Sequence, residues 1–196
     1  MRAAEGGSLY ARLLGGGWSA LDAAVRGMHC APGQSLRAEG DFQIVRGRGW
    51  LVAAVARAMG LPPASESTRT ILSVTLEGGA ERWRREFERC VVTTLQAEGP
   101  RGLLEERFGL MALWFRLTQE GGALRYDQEG VGLRLGRWTM PLPGWLAPRV
   151  WGLERASSSA GCTEVEVEIH APLLGRLVRY KGTMRALSAG GVEEGA

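Results

Sequence analysis

The stretch that decides the fold is residues 163–182, TEVEVEIHAPLLGRLVRYKG. Its first half alternates glutamates with valine and isoleucine, which predicts a strand with glutamates facing solvent and aliphatic side chains facing inward. His170 continues the glutamate face and is therefore predicted to point to solvent. Pro172 cannot donate a hydrogen bond to a neighbouring strand and Gly175 suits a tight turn, so we predict a hairpin. The second strand of this hairpin directs Tyr180 towards the interior.

Short alternating segments separated by glycine turns also fill most of the chain before this hairpin. Strands are predicted at residues 35–46, 71–77, 81–89, 90–97, 102–108, 110–119, 122–127, 131–139, 163–170 and 177–187. Strands joined by short turns must be antiparallel, because a parallel join needs a crossover of about a dozen residues. Roughly nine or ten such strands tend to curl so that few edges remain unpaired. We therefore predict a β-dominated α+β fold, a strongly curved antiparallel meander or barrel-like sheet.

Two or three helices are predicted, all in the N-terminal third and packed over one end of the sheet. A short helix around Tyr10 is interrupted by the glycines at 15–17. Apolar residues spaced by three and four predict a second helix over residues 18–28. A third helix is predicted at residues 49–59, because Gly60 suits a C-terminal cap and the two prolines after it forbid continuation.

The rival architecture is the helix-grip fold of lipid-binding proteins, which requires a long C-terminal helix. Residues 177–187, LVRYKGTMRAL, alternate in a strand-like manner and argue against it. No linker and no internal repeat divides the chain. We therefore predict one domain at residues 8–187, with flexible tails at 1–7 and 188–196.

The composition excludes several classes of protein. The chain has 196 residues and a net charge of +3, and Lys181 is the single lysine among its 24 lysine and arginine residues. Such arginine richness, with no asparagine and little isoleucine, is typical of a GC-rich bacterial genome. A nucleic-acid binder is not indicated, because the basic residues are interleaved with acidic ones. Since neither a secretory signal nor a membrane-spanning segment is visible, we predict a cytoplasmic protein.

Motifs for metal or nucleophilic chemistry are missing from the sequence. Three widely spaced cysteines and two histidines provide no CxxC, HxH or HExxH spacing. Neither GxSxG nor a phosphate-binding glycine motif can be read. We therefore predict no metal, no cofactor and no catalytic residue, while a cysteine–histidine pair formed only in space stays open.

Two charged residues interrupt the predicted apolar interior. Arg85 shares a strand face with Trp83 and Phe87, and Glu106 alternates with Phe108. An arginine inside an apolar barrel must be paired or must bind an anionic ligand. Two interpretations stay open: Arg85 and Glu106 form a structural ion pair, or they orient a ligand in a mostly apolar pocket.

Several motifs occur in a fixed order along the chain: LYARLLG, GRG before a helix that ends in GLPP, ERWRREF, EERFG, LAPRV and HAPLLGRLVRYKG. Together they resemble the bacterial domain-of-unknown-function family 4166 over residues 8–187. The resemblance implies a domain that stands alone or follows an NAD(P)-binding domain of the saccharopine-dehydrogenase or short-chain-dehydrogenase type. It thus implies a separate oxidoreductase as a candidate partner. It implies no defined activity.

Two functions fit these features. The first is a non-catalytic binding module whose barrel-like cavity holds a hydrophobic or amphipathic small molecule, with an anionic group near Arg85. The candidate ligand-binding residues are Trp83, Arg85, Glu106, Phe108, His170 and Tyr180. The second is an enzyme, or a substrate-holding accessory of an NAD(P)-dependent oxidoreductase, with His170 and Tyr180 as acid–base groups and Glu106 as their partner. A structural or protein-interaction domain with a filled core is the remaining alternative.

Overall fold

The computed structural model describes residues 8–29, 35–136 and 138–187. The predicted flexible tails therefore lie outside the described residues, as does Cys30. Within the described ranges the strands are β1 Leu36–Arg46, β2 Ser65–Glu77, β3 Ala80–Phe87, β4 Cys90–Glu98, β5 Leu104–Phe108, β6 Met111–Glu120, β7 Ala123–Leu135, β8 Trp138–Pro141, β9 Arg149–Ala156, β10 Cys162–Ala171 and β11 Gly175–Leu187. The helices are α1 Leu9–Leu14, α2 Ala23–Gly27 and α3 Trp50–Ala58, with 3-10 turns at Gly15–Ala20 and Pro100–Gly102.

Ten of these strands form a closed antiparallel barrel. Each strand from β1 to β7 pairs with the next, β7 then pairs with β9, and β9, β10 and β11 follow in order. β11 pairs with β1 and closes the ring. β8 pairs with the last residues of β7 and extends that hairpin at the rim. The prediction of a curved or barrel-like antiparallel sheet is confirmed, and the strand β11 occupies the place where the helix-grip fold has its helix.

The seam between β1 and β11 brings two backbones together at glycines. Phe42 lies opposite Gly182, and Gly40 lies opposite Met184. A Cβ on Gly182 would stand 2.1 Å from the Asp41 carbonyl oxygen and 2.6 Å from the Phe42 ring. Only a glycine fits this position, because any larger residue would overlap the opposite backbone.

Alternate residues of every barrel strand face the interior, as the period of two requires. On β3 this inward set includes Trp83, Arg85 and Phe87, so the predicted phase of this strand is confirmed. Val165, Val167 and Ile169 face inward on β10, as the alternation also predicted. Burial of each large apolar side chain contributes about 1.5–3 kcal/mol, so these inward rows provide most of the folding free energy.

The helices occupy both ends of the barrel, whereas the sequence predicted them over one end. α1 packs against β4 and β6, and α2 packs against β9 and β10. The backbone N–H of Asp22 donates to the carbonyl of Gly122 in the β6–β7 turn, which fixes α2 to that end. α3 follows the opposite end of β1 and packs against β11. None of these helices, taken over the described residues, is long and apolar enough to cross a membrane.

The predicted second helix over residues 18–28 is wrong in its extent. The 3-10 turn ends at Ala20, and Leu21 is extended, with φ −69° and ψ 148°, before α2 begins. Leu21 and Val25 are buried nonetheless, with Met28 beside them. Apolar residues spaced by three and four therefore indicate that one side of the segment is buried. They do not show that the segment is one continuous helix.

The strands β7 and β9 differ from the prediction. Residues 122–127 and 131–139 were predicted as separate strands, but β7 runs from the first into the second and ends at Leu135, because a bulge accommodates Glu129 opposite Trp114 and Phe115. Residues 138 and 139 belong to β8. β9 was not predicted at all, since apolar residues occur on both of its faces and blur the alternation. The hairpin at 163–182 is confirmed, and Gly175 adopts φ 73° at its turn.

Replacing Gly182 with alanine should destabilise the barrel at its seam. The added Cβ must push β1 away from β11, and we expect the free energy of unfolding to fall by about 3 kcal/mol or more. Urea unfolding followed by circular dichroism measures this change. Gly144→Ala is the matched control, because a Cβ there meets nothing within 4 Å. Equal stability of the two variants would contradict a tight seam.

Candidate functional site

The interior of the barrel contains a cavity of about 130 Å³. Its wall is mostly apolar and includes Phe42, Leu72, Trp83, Phe87, Phe115 and Val167. Drug-sized ligands need roughly 300–1,000 Å³, whereas a cavity of about 150 Å³ accepts a molecule the size of benzene. The cavity is therefore suited to a small apolar molecule or to a single narrow chain.

Arg85 and Glu106 face each other across the cavity wall from β3 and β5. The two side chains form a loose ion pair, with 3.7 Å between Nη2 of Arg85 and Oε1 of Glu106. Nη1 of Arg85 donates to the Thr94 hydroxyl at 3.1 Å, and the guanidinium lies 5.3 Å from the centre of the Trp83 ring. A guanidinium has five N–H donors, so these contacts occupy only part of its capacity. Arg85 is thus both paired with Glu106 and able to bind a further acceptor.

The charge of Arg85 is maintained by its surroundings. Burial by itself lowers the pKa of this guanidinium, but the Glu106 carboxylate and the nearby tyrosines raise it by more. The net pKa lies above the ordinary arginine value. A permanent positive charge is therefore present beside an apolar space.

Tyr180 and Phe108 also line the cavity. The Tyr180 ring packs edge-on against Phe42 and Phe87, with centroid distances of 6.0 and 5.8 Å. Burial, followed by the opposing effects of the neighbouring charges, raises the pKa of Tyr180 to about 12. The hydroxyl is therefore neutral at physiological pH and acts as a hydrogen-bond donor.

His170 lies apart from the other five candidate residues. It is exposed on the outer face of β10, where its Nε2 is 3.0 Å from Oε1 of Glu168. Its position follows the glutamate face of the strand, as its register indicates. The structure therefore brings together Trp83, Arg85, Glu106, Phe108 and Tyr180 and leaves His170 outside the cavity.

A buried polar network occupies the end of the cavity beneath α1 and α2. The Tyr10 hydroxyl donates to Oε1 of Gln96 at 2.7 Å, and the Tyr126 hydroxyl donates to Oε1 of Glu154 at 2.8 Å. The other oxygen of Glu154 lies 2.9 Å from Nε2 of His29. The His29 ring stacks on the Tyr10 ring with a centroid distance of 3.7 Å. These contacts close the barrel end from inside.

The protonation of this network follows from its burial. Burial, together with the Glu154 carboxylate, raises the pKa of both Tyr10 and Tyr126 well above the ordinary value, so both are donors. Burial also raises the pKa of Glu154, but His29, the Tyr126 hydroxyl and the Arg85 charge lower it by more. Glu154 is therefore ionised inside the barrel, with a pKa below its ordinary value. Among the described residues, Nδ1 of His29 has no hydrogen-bond partner.

The cavity extends to the end opposite to α1 and α2, where Leu61 and Pro62, which follow α3, are buried and line part of it. Lining residues beneath those helices, such as Met28 and Gln96, are buried. Those at the other end, such as Phe108, Met111 and Ile169, are only partly buried. We call this end, formed by the connections after β1, β3, β5, β7, β8 and β10, the mouth.

The polar network was not identified from the sequence. Tyr10 lies on a short helix and His29 lies just after another, and neither position indicates that both rings enter a barrel. Glu154 is in β9, the strand that the sequence did not predict. The inward positions of β9 are Val150, Gly152 and Glu154, while Trp151 and Leu153 lie on the other face, so apolar alternation provides no signal that could have located Glu154.

Comparison with protein-family models matches residues 21–184 to a family described as Domain of unknown function (DUF4166). The match covers most of the chain. No curated protein and no solved structure matches it.

Replacing Glu154 with glutamine should change how stability depends on pH. Because its folded pKa is depressed, the ionised carboxyl stabilises the fold above the unfolded glutamate pKa of about 4.3. That stabilisation is lost as the pH falls through the lower folded value. We expect Glu154→Gln to lower the free energy of unfolding at pH 7 by about 2–4 kcal/mol and to flatten its decline below about pH 5.

Urea unfolding between neutral and acid pH measures both effects. Glu129→Gln is the control, because Glu129 lies on the exposed outer surface, where it bonds to Arg116. If the free energy of unfolding of Glu154→Gln declines in acid as steeply as that of the unmodified chain, Glu154 is not the buried ionised carboxyl with a lowered pKa.

Proposed function

The chain belongs to this family, and we propose that its barrel is a non-catalytic binding module for a hydrophobic or amphipathic small molecule. The observation that carries the proposal is the apolar cavity of about 130 Å³ with polar groups converging on it. A filled core, which a purely structural domain would have, provides no such space. An apolar pocket with a few oriented polar groups is the usual form of a small-molecule site.

The polar groups indicate what the ligand carries. Arg85 has donors left over, and its ion pair with Glu106 at 3.7 Å is too long for a hydrogen bond. A ligand carboxylate can therefore bind the remaining guanidinium donors on the side away from Glu106, whose negative charge would otherwise repel it. The neutral Tyr180 hydroxyl, on β11, provides a second donor among the residues that line the cavity. We propose a narrow apolar molecule that ends in a carboxylate or a similar anionic group.

The proposed ligand enters with its apolar part against the aromatic and aliphatic wall. The closed end holds Glu154, whose negative charge repels an anion, so the anionic group stops at the level of Arg85. The aromatic rings of Phe42 and Phe87 also line the cavity and pack edge-on against each other. This arrangement favours one orientation of the ligand.

An enzyme, or a substrate-holding accessory of an NAD(P)-dependent oxidoreductase, is the second candidate function. The observation that favours it is the contact of Tyr126 and Glu154 with the cavity, backed by His29. A carboxylate with a histidine behind it can accept or donate a proton. The earlier candidate pair of His170 and Tyr180 does not share the cavity, so this alternative depends on Glu154 instead.

Arg85→Met tests the proposed anionic end of the ligand. We expect binding of a medium-chain carboxylate to weaken by about ten- to a hundredfold, because a hydrogen bond to a charged group contributes about 1.5–3 kcal/mol. The alcohol of the same chain length should bind as before. Displacement of an environment-sensitive fluorophore measures both affinities. Arg84→Met is the matched control, since Arg84 is exposed on the outer face of the same strand.

Native mass spectrometry of the purified chain provides a direct test of the proposal. A small molecule that co-purifies and is released on denaturation supports the binding module. A chain that carries no ligand and binds neither the carboxylate nor the alcohol contradicts it. Carboxylate binding that is unchanged in Arg85→Met would contradict the role of Arg85 alone.

Val92→Phe tests the cavity itself. The larger side chain fills space at the wall, so we expect carboxylate and alcohol binding to weaken by about tenfold or more, together. Val91→Phe is the matched control, because Val91 is the neighbouring residue and is exposed on the outer face. Thermal unfolding verifies that both variants fold. Equal binding by the two variants would place the ligand outside the barrel.

A further inference from the structure

Large apolar side chains are exposed mainly at the mouth of the barrel. We define the mouth rim as Trp50, Leu110, Trp138, Trp145, Leu146 and Leu173. Trp50, Trp138 and Trp145 are 81%, 70% and 72% exposed. At the closed end the comparable residues of the described chain are Leu76 and Leu187. A concentration of large exposed apolar side chains at one end of a barrel indicates a candidate interaction site.

The rim residues follow one another around the mouth. Leu110 lies in the β5–β6 turn, Trp138 begins β8, and Trp145 and Leu146 lie in the β8–β9 connection. Leu173 lies in the β10–β11 turn, and Trp50 begins α3 beside β11. The strand order places these connections side by side. The exposed apolar groups therefore surround more than half of the mouth.

Leu173, one of the exposed rim residues, has a strained backbone conformation. Its φ is 65°, in the left-handed region that a bulky residue rarely adopts. Its side chain is 101% exposed, so no internal packing compensates for the backbone strain. Strain of this kind persists mainly at positions with a function. The turn holds an apolar side chain out into solvent.

The charges around the mouth are predominantly positive. Arg48, Arg57, Arg89 and Arg149 are exposed there, and none of them forms an ion pair with another described residue. The exposed acidic residues at this end are Glu66 and Glu88. The mouth therefore combines exposed tryptophan and leucine side chains with exposed arginines.

We propose that the mouth rim docks on the surface of an anionic lipid bilayer. Tryptophan prefers the interface between headgroups and acyl chains, and leucine inserts just below it. Arginines near the surface are attracted to anionic headgroups. Docked in this way, the mouth faces the acyl layer, and an amphipathic molecule can pass between the bilayer and the cavity. Docking itself does not depend on the cavity being occupied.

The geometry favours a bilayer over a protein partner. The rim side chains come from several different connections that are distributed around the mouth. A protein partner would need a matching pocket for each of them, because protein interfaces are closely complementary. A fluid lipid surface accepts projecting side chains without such complementarity. The arginines beside the tryptophans also fit a lipid surface, because they attract the anionic headgroups.

Vesicle co-sedimentation of the full chain tests the proposal. The two vesicle types are phosphatidylcholine alone and phosphatidylcholine with about 30% phosphatidylglycerol. We expect binding to the anionic vesicles, weaker binding to the neutral ones, and a blue shift of tryptophan fluorescence on binding. Trp145→Ser combined with Leu173→Ser should weaken binding by about tenfold or more.

Leu76→Ser combined with Leu187→Ser is the control, because it removes two exposed leucines from the opposite end. This control should bind vesicles as the unmodified chain does. Arg48→Gln combined with Arg149→Gln should weaken binding to anionic vesicles by about tenfold and should leave binding to neutral vesicles unchanged. Circular dichroism verifies that each variant is folded.

The remaining outcomes overturn the proposal. A chain that does not sediment with anionic vesicles, or whose rim variant sediments equally, has no lipid-docking rim. If light scattering shows that the rim variant converts a dimer into a monomer without a change in vesicle binding, the rim is a contact between copies. Binding of soluble carboxylates is measured separately, so failure of docking and failure of the cavity proposal remain distinguishable.

Discussion

The pairing of β1 with β11 is the constraint on which the rest of the structure depends. It joins the first and last strands of a ten-stranded ring and so turns a curved sheet into an enclosed interior. The closure requires close backbone approach at Gly40 and Gly182, where side chains would intrude. Without the seam, the inward rows would face solvent, and neither the cavity nor the network around Glu154 would exist.

Enclosure sets the conditions for every polar group inside the barrel. A buried charge is costly unless it is paired or hydrogen-bonded. Besides Glu81, which accepts a hydrogen bond from Nε1 of Trp83, the interior holds two separate groups of charged residues. Glu154 is satisfied by His29 and Tyr126 at the closed end, while Arg85 and Glu106 are only loosely paired midway along the wall. The first group rigidifies the closure. The pair of Arg85 and Glu106 leaves hydrogen-bond donors of Arg85 available to a ligand. For this reason we propose Arg85 as the residue that binds the ligand.

The sequence predicts the barrel well where one strand face is mainly apolar and the opposite face is polar. In the segment 163–182 and in the strand with Trp83, Arg85 and Phe87, one face is exposed to solvent. The sequence therefore shows directly which residues face inward. β9 escapes prediction because its two faces are similarly apolar, and Glu154 is missed along with it. The closed-end network needs Tyr10 and His29 to meet residues more than 80 positions away, as in the Tyr10–Gln96 bond. The local periodicity of a sequence carries no information about contacts between residues so far apart in the chain.

The seam also determines when the barrel can form. Residues 37–46 pair with residues 178–187, so the ring cannot close until β11 has been synthesised. Contacts between distant segments make folding slow, because the loop entropy is lost before any pairing is gained. A growing chain that has reached β9 therefore exposes a half-formed sheet whose inward face is apolar. Such an intermediate is prone to aggregation and is a natural client for chaperones.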